Sequence, residues 1–488
     1  MKGNTKLTIA LLTYNRASGS YMQEALEAIL NQTYTDFELI VMDNHSTDNT
    51  ADVVLSYHDS RLTYVRQPPY GNGTTNYTSA LWMSRGEYIL LTHDDDVMEP
   101  NMIEKQMAFI KNNPRVLCVG TNVSLIDEKG ELIQDQMYEF GGDCIYNEVE
   151  YIRTYLEEKL WLPTPTLLFN RKAHISAIPR LVKKKKSKYQ SSGDIWLLFL
   201  LNLKGQIGVL SEPLLRYRQH PGQESRTVDQ SAPMANMAGN LLRSRSRNKK
   251  LKKYLPDIWG SYLRFKAQDM LFNTMRRWGR EKVKEHLLRL RSRWVKNVSP
   301  ELRSVDSALP FEILLREFGL EPTIEASNFQ RIMSQPANVG AQKGYRHWME
   351  ALTKNRSLFE AHPEIKTIAI VGSMLTSFLI VEAARKSSVQ VMCCLDSSSA
   401  RIGQNVFGIP VVPHDELRKM ISLDAVILSS ERDHEQAISN ILSANLPRKD
   451  LPIYSWKELA GEAAATNEHD SLNISELTEY ITFQQICY

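Results

Sequence analysis

Gly86-Glu87-Tyr88-Ile89-Leu90-Leu91-Thr92-His93-Asp94-Asp95-Asp96-Val97-Met98-Glu99-Pro100 is the stretch on which the reading of this chain turns. Tyr88 to Thr92 is an apolar run of strand length that leads into three consecutive carboxylates, Asp94, Asp95 and Asp96. Pro100 marks the opening of a helix, since proline suits a first turn. Three adjacent acids repel one another, so a fold that gathers them brings in a cation. Oxygen ligands beside a strand end suit Mg²⁺ or Mn²⁺, bound through one or two carboxylates together with substrate phosphates. The plainer reading is a solvated acidic turn. The flanking sequence decides between the two.

Upstream, Leu7 to Thr13 is an apolar run that ends in the polar turn Tyr14-Asn15-Arg16. Tyr21 to Asn31 has helical spacing. Phe37 to Met42 reads as a second strand, ending at Asp43-Asn44, and Asn44 to Thr50 supplies capping residues to a helix that stops near Ser56. Leu62 to Arg66 is a third strand, and Thr74 to Ser84 a helix. Strands that alternate with helices predict a largely parallel sheet covered on both faces. Ligands of such sheets bind outside the carboxyl ends of the strands. Thr13, Asp43 and the acid triplet all fall at those ends.

The series Leu-Leu-Thr-Tyr-Asn-Arg (11–16), Asn-Gln-Thr-Tyr-Thr-Asp-Phe-Glu-Leu-Ile-Val-Met-Asp-Asn-His-Ser-Thr-Asp-Asn-Thr (31–50) and Gly-Glu-Tyr-Ile with the acid triplet resembles glycosyltransferase family 2 over roughly Leu7 to Ser225. The resemblance implies the GT-A fold, a nucleotide-diphosphate sugar donor and a divalent metal, Mn²⁺ or Mg²⁺. It implies that Thr13, Tyr14 and Asp43 surround the base and ribose. Asn15, Arg16, Asn44, Asn76 and Asp94 are the further nucleotide-sugar candidates. Asp95 would be the main metal ligand, with Asp96 beside it. Two positions depart from the family pattern: Asn44 stands where a second acid is frequent, and His93 replaces the acid that often starts the metal motif. An amide at Asn44 can still pair with a uracil or thymine edge. Arg66 and Arg85 are candidates for the phosphate field, or plain surface arginines.

Downstream, Val116 to Ser124 reads as a strand, Asp127 to Gly130 as a hairpin turn, and Gly208 to Leu210 as a further strand. Asp194 starts an apolar helix, Ile195 to Leu203, where the helix dipole favours an acid. The resemblance gives this aspartate the general-base role: it takes the proton of the acceptor hydroxyl as that oxygen attacks the anomeric carbon, with inversion. Tyr217-Arg218-Gln219-His220 resembles the closing segment of the family, and an imidazole at His220 can reach the metal or the diphosphate. Arg218 and Arg226 are lesser phosphate candidates. The run Lys183 to Lys186 is either a solvated loop or a mobile acceptor loop for an anionic glycan or lipid carrier.

The fold class expected is therefore α/β: a GT-A domain over 1–230, a basic helical region over 231–360, a smaller Rossmann-like domain over 361–460, and a linker and tail over 461–488. The helical region holds basic clusters, Arg243 to Lys253 and Arg276 to Lys284, which suit solvated helix faces, packing between subunits of a homo-oligomer, or peripheral contact with an anionic membrane. No recognised nucleic-acid motif accompanies this charge, so nucleic acid is not an expected partner. In the last domain Thr367 to Val371, Val389 to Leu395 and Asp424 to Leu428 are strands. Gly372-Ser373-Met374 lacks the full glycine fingerprint of a dinucleotide site, so a structural or regulatory module is expected rather than a second enzyme.

The bulk numbers agree with a soluble globular protein: 488 residues, 42% apolar, 24% charged and a net charge of +3. The five cysteines lack framework spacing and read as reduced thiols of a cytoplasmic protein. The first residues enter a strand directly, with no signal peptide, and no apolar run approaches the roughly 20 residues that span a bilayer. The function expected is inverting, metal-dependent transfer from a UDP- or dTDP-sugar to a hydroxyl of a glycan or lipid-linked glycan in bacterial surface polysaccharide synthesis. The rivals are a nucleotidyltransferase that forms the nucleotide sugar, and a non-catalytic nucleotide-binding scaffold. The first of these normally carries a glycine-rich basic loop, which Thr13 to Arg16 does not supply.

Overall fold

The computed structural model describes residues 6–69, 73–157, 160–182, 193–220, 231–244, 249–271, 276–300, 303, 305–334, 340–372, 375–396, 401–406, 408–430, 435–443 and 445–465. The run Lys183 to Lys186, Arg226, Arg245, Arg247, Ser373-Met374 and the tail from residue 466 lie outside them. Two compact units divide the chain, one of Met1–Tyr155 with Leu160–Gln223, the other of Leu156–Lys159 with Glu224–Tyr488.

The first unit runs β1 (Leu7–Thr13), α1 (Tyr21–Leu30), β2 (Phe37–Asp43), α2 (Thr50–Leu55), β3 (Leu62–Arg66), α3 (Gly73–Met83), β4 (Tyr88–His93), β5 (Val97–Met98), α4 (Met102–Asn112) and β6 (Val116–Ile126). It continues through β7 (Leu132–Gln134), β8 (Cys144–Tyr146), α5 (Glu150–Leu156), β9 (Leu168–Asn170), α6 (Arg171–Val182), α7 (Gly193–Asn202) and β10 (Gln206–Arg218). Among the described residues these strands form one sheet of order β3-β2-β1-β4-β9-β6-β10-β5, with β7 on β6 and β8 on β10. Leu7, Ile9 and Leu11 are fully buried, as are Leu39 and Val41 beside them. Each such side chain contributes about 1.5–3 kcal/mol through burial. Both faces are covered, which is why β1, β2 and β4 read as unbroken apolar runs rather than alternating ones.

The parallel arrangement expected from the sequence holds for β3, β2, β1 and β4. The short strand β9 then enters antiparallel to both β4 and β6, so the sheet is mixed rather than largely parallel. Three residues are too few to carry a readable period. In the parallel half the register sets the strand ends level: Thr13 stands opposite Asp43, Asp43 opposite Arg66, and Leu12 opposite His93.

β10 is longer than the sequence suggested, running on from Gly208–Leu210 to Arg218. Pro213 lies inside it and has no N–H for the ladder. The register against β6 slips on either side of that proline. Irregularities of this kind bend a strand and re-aim its end. Beyond the slip Arg216 pairs with Val97 and Leu215 with Met98, which carries Arg218 to the residues just after β4. α7 is apolar on all sides and buried from Ile195 to Asn202, a core helix too short to cross a bilayer. No helix among the described residues is long and apolar enough to cross a membrane.

In the second unit the helices α8 (Ser231–Ser244), α9 (Leu255–Met270), α10 (Arg276–Asn297), α11 (Leu309–Glu317), α12 (Ala326–Met333) and α13 (Gly340–Thr353) precede a second α/β segment. Its elements are β11 (Thr367–Val371), α14 (Leu375–Lys386), β12 (Gln390–Leu395), β13 (Asn405–Val406), β14 (Ile409–Val412), β15 (Ala425–Leu428), α15 (Glu435–Ser443), β16 (Ile453–Ser455) and α16 (Trp456–Ala465). They build a sheet of order β13-β14-β12-β11-β15-β16, parallel except for β13. Gly372 ends β11 at φ +103, where a Cβ would come within 2.6 Å of the Ser429 hydroxyl. Glycine is therefore required there for both conformation and space. Asp396, which ends β12, is paired with Arg401.

Candidate active site

The acid triplet leaves β4 at the edge where β1 and β2 also end. Asp94 and Asp96 are buried and Asp95 nearly so. Arg16, from the turn after β1, donates Nε to Asp94 Oδ1 at 3.0 Å and brings Nη2 to 3.6 Å from Asp95 Oδ2. His220, delivered by the bent end of β10, places Nε2 2.9 Å from the same Asp95 oxygen. The N–H of Arg218 donates to Asp96 Oδ1 at 2.9 Å, and its Nε donates to the Asp95 carbonyl at 2.8 Å. The other Asp96 oxygen, Oδ2, is buried with no hydrogen-bond partner in the protein.

These surroundings split the three carboxyls. Burial, followed by the charge of Asp95, pushes Asp96 well above the ordinary carboxylate range. Burial also raises Asp94, against the opposing pull of Arg16 and the Thr13 hydroxyl. For Asp95 burial acts upward too, but the His220 hydrogen bond, with His93 and Arg16, outweighs it and holds the group below its usual value. One ligand atom each from His93, Asp95 and Asp96 lies within 4.8 Å of the others. Imidazole and carboxylate donors with an unpartnered buried carboxylate oxygen fit a divalent cation such as Mn²⁺.

The nucleotide-sugar candidates cluster on the neighbouring strand ends. Asp43 is sealed from solvent and accepts from the Ser46 N–H (2.8 Å), the Ser46 hydroxyl (2.6 Å) and Tyr64 OH (2.5 Å). Asn15 sits at φ 49, donates its N–H to Ser46 Oγ and accepts the Thr47 N–H on its side-chain oxygen, so it ties the first turn to the second. Asn44 donates its N–H to the Thr13 carbonyl. Asn76, on α3, donates Nδ2 to the Met42 carbonyl at 2.9 Å. The side-chain oxygens of Asn44 and Asn76 are both buried without a partner. Tyr14 is 55% exposed, the one aromatic face that this turn offers to solvent.

A family model, glycosyl transferase family 2, matches residues 8–175, the span that carries these strand ends and the triplet. This chain carries a family 2 glycosyltransferase domain. An uncharacterized glycosyltransferase of Methanocaldococcus jannaschii is 25% identical over 219 residues, 43% of this chain and 70% of that protein. The poly(ribitol-phosphate) beta-N-acetylglucosaminyltransferase TarP of Staphylococcus aureus is 28% identical over 160 residues, 31% of this chain and 48% of TarP. The crystal structure of S. aureus TarS 1–349 in complex with UDP aligns with a TM-score of 0.45 at 16% identity, covering 72% of this chain and 92% of that one.

In this glycosyltransferase Asp194 lies in the first turn of α7, and Thr164 Oγ1 donates to its Oδ2 at 2.6 Å. Thr164 belongs to the turn Thr164–Thr166, which packs on β4 and so ties Asp194 to the strand that bears the triplet. Arg85 and Arg218 depart from the phosphate roles weighed above, and Arg66 is engaged on a neighbouring loop. Arg85 pairs with Glu38 near the starts of β1, β2 and β4, the opposite edge of the sheet. Six residues of β4 lie between it and Asp94, about 20 Å of extended chain. Arg66 donates Nη2 to the Ser46 carbonyl and braces the loop after β2. Arg218 is only 1% exposed, with its guanidinium turned inward.

Two features escaped the sequence reading. His93, read there as a departure, is grouped with Asp95 and Asp96, and its place at the end of the apolar run, directly before the triplet, was the available signal. Thr164 carries no motif at all, because its partner is 30 residues away in the chain.

Proposed function

We propose that this domain transfers a sugar, with inversion, from a UDP- or dTDP-sugar to a hydroxyl of a glycan acceptor in bacterial surface polysaccharide synthesis. The observation that carries the reading is the grouping of His93, Asp95 and Asp96 at the edge where β1 and β2 present Thr13, Asn44 and Arg16. Asp95 and Asp96, with His93 and His220 as the imidazoles at hand, would hold Mn²⁺ or Mg²⁺. The ion, when bound, neutralises charge on the departing diphosphate. Two buried amide oxygens, of Asn44 and Asn76, await an N–H donor. An imide N–H is what a uracil or thymine edge presents, and Tyr14 offers a ring on which a base can lie.

Asp194 is the general base of this reading. Thr164 fixes Oδ2, and Oδ1 is the oxygen assigned to the proton of the acceptor hydroxyl. A single displacement needs this one base and no enzyme nucleophile. The similarity to TarP, named for transfer of N-acetylglucosamine to poly(ribitol phosphate), supports a polymer of the bacterial surface as acceptor class. The α/β segment from β11 to α16 is assigned a structural or regulatory role.

The test is hydrolysis and transfer with a panel of UDP- and dTDP-sugars, with and without Mn²⁺. Turnover of at least one donor, lost on chelation and in Asp95→Asn, is the expected result. Equal turnover in EDTA would remove the metal from the reading.

A further inference from the structure

Arg218 is buried between the acid triplet and the first turn of α1. On one side it holds Asp95 and Asp96, through its Nε and its backbone N–H. On the other, Nη2 donates to Glu24 Oε2 at 2.5 Å, and the guanidinium lies 4.3 Å from the centre of the Tyr21 ring. The same ring stands 5.6 Å from the His220 ring and 5.9 Å from the Arg16 guanidinium. Tyr21 is itself anchored, since its OH donates to the Glu128 carbonyl at 2.9 Å. Tyr21 and Glu24 are three residues apart on one helix face, and no step of the transfer reaction uses either of them.

We propose that Glu24 and Tyr21 are positioning residues, which act through Arg218 to set the affinity of the acid triplet for its divalent ion. The inference rests on the metal reading given above. A guanidinium this buried requires a compensating charge. Glu24 supplies it from the far side, so the end of the arginine points away from the Asp95 and Asp96 carboxylates. Arg218 then meets the triplet through its backbone N–H on the Asp96 carboxylate and through Nε on the Asp95 carbonyl, contacts that orient it. If Glu24 loses its charge, the acids of the triplet, already bonded to the other end of Arg218, are left to compensate the guanidinium. Arg218 then turns towards them and competes with the cation. The Tyr21 ring restrains the same movement through its cation–π contact with the guanidinium, and it supports His220 and Arg16 in their places on Asp95.

The experiment is Mn²⁺ binding to the full chain, by titration calorimetry and by the EPR signal of free Mn²⁺, with and without saturating UDP. Glu24→Gln and Tyr21→Leu are compared with Glu27→Gln, which makes the same charge change on an exposed position of the same helix. Glu24→Gln and Tyr21→Leu are expected to weaken Mn²⁺ binding about 10-fold or more, as loss of outer partners of metal ligands does. Glu27→Gln is expected to bind like wild type, and UDP binding in EDTA to be unchanged in every variant. Folding is checked by melting temperature. A folded Glu24→Gln with wild-type Mn²⁺ affinity, or an equal loss in Glu27→Gln, overturns the proposal. A wild-type chain that binds no Mn²⁺ would instead overturn the metal reading itself, and this inference with it.

Discussion

Thr164 Oγ1 donates a 2.6 Å hydrogen bond to Asp194 Oδ2, and this contact fixes which oxygen of the carboxylate faces onward. Asp194 also begins α7, whose following residues are buried, so the carboxylate is mounted on a rigid support.

Asp194→Asn is expected to lower kcat by about 10²- to 10⁴-fold, the span usual for removal of a general base. Donor binding, followed by UDP-sugar titration in Mn²⁺, is expected to stay unchanged. Thr164→Val keeps the carboxylate but frees it to rotate, so an intermediate loss in kcat is expected. A Thr164→Val enzyme with wild-type kcat would show that the contact aims nothing.

The two histidines near Asp95 are distinguishable. His93 belongs to the tight group with Asp95 and Asp96, whereas His220 is bonded to Asp95 and lies against the tilted Tyr21 ring. His93→Ala is therefore expected to cost at least as much Mn²⁺ affinity as His220→Ala. A Mn²⁺ titration of both variants in the presence of UDP decides the matter. Loss confined to His220→Ala would make His220, and not His93, the imidazole ligand.

Gly86 opens the turn into β4. A Cβ there would meet the Thr8 nitrogen at 2.5 Å, the Leu7 carbonyl carbon at 2.7 Å and the Tyr88 oxygen at 2.7 Å. All three are backbone atoms and cannot rotate aside. Gly86→Ala is expected to cost about 1–3 kcal/mol or more through overpacking, read as the loss in urea unfolding free energy. An unchanged midpoint would mean that the sheet edge yields more easily than this packing suggests.

His174 is fully buried, with Nε2 2.6 Å from Tyr77 OH. Burial lowers its pKa from 6.5 to about 3. A depressed pKa in the folded state means that its stabilising contribution is complete above pH 6.5. That contribution is lost as pH falls from 6.5 towards about 3, because the unfolded chain takes up the proton first. Between pH 7 and pH 4.5 the melting temperature of wild type should therefore fall more steeply than that of His174→Gln. Parallel curves for the two proteins would exclude His174 as a source of acid sensitivity.

Much of the framework was legible in the chain. The apolar runs at Leu7, Phe37 and Tyr88 announce strands because both of their faces are buried, and the polar residues that stop them mark one edge of a sheet. Legibility failed where the governing interaction was distant. β9 is three residues long and antiparallel, with no period of its own. β10 continues through Pro213 because a register slip absorbs the missing donor, a solution that only the neighbouring strand supplies.

The sequence by itself determined the order of strands and helices in the parallel half and the identity of the acids that end β4, because apolar periodicity and turn chemistry act over a few residues. Tertiary structure decided how burial and partners pull those acids apart, which arginines face inward and which side chain Asp194 bonds to. Those outcomes depend on burial and on partners far away in the chain: Arg218 and Glu24 are 194 positions apart, yet one hydrogen bond joins them beneath the triplet.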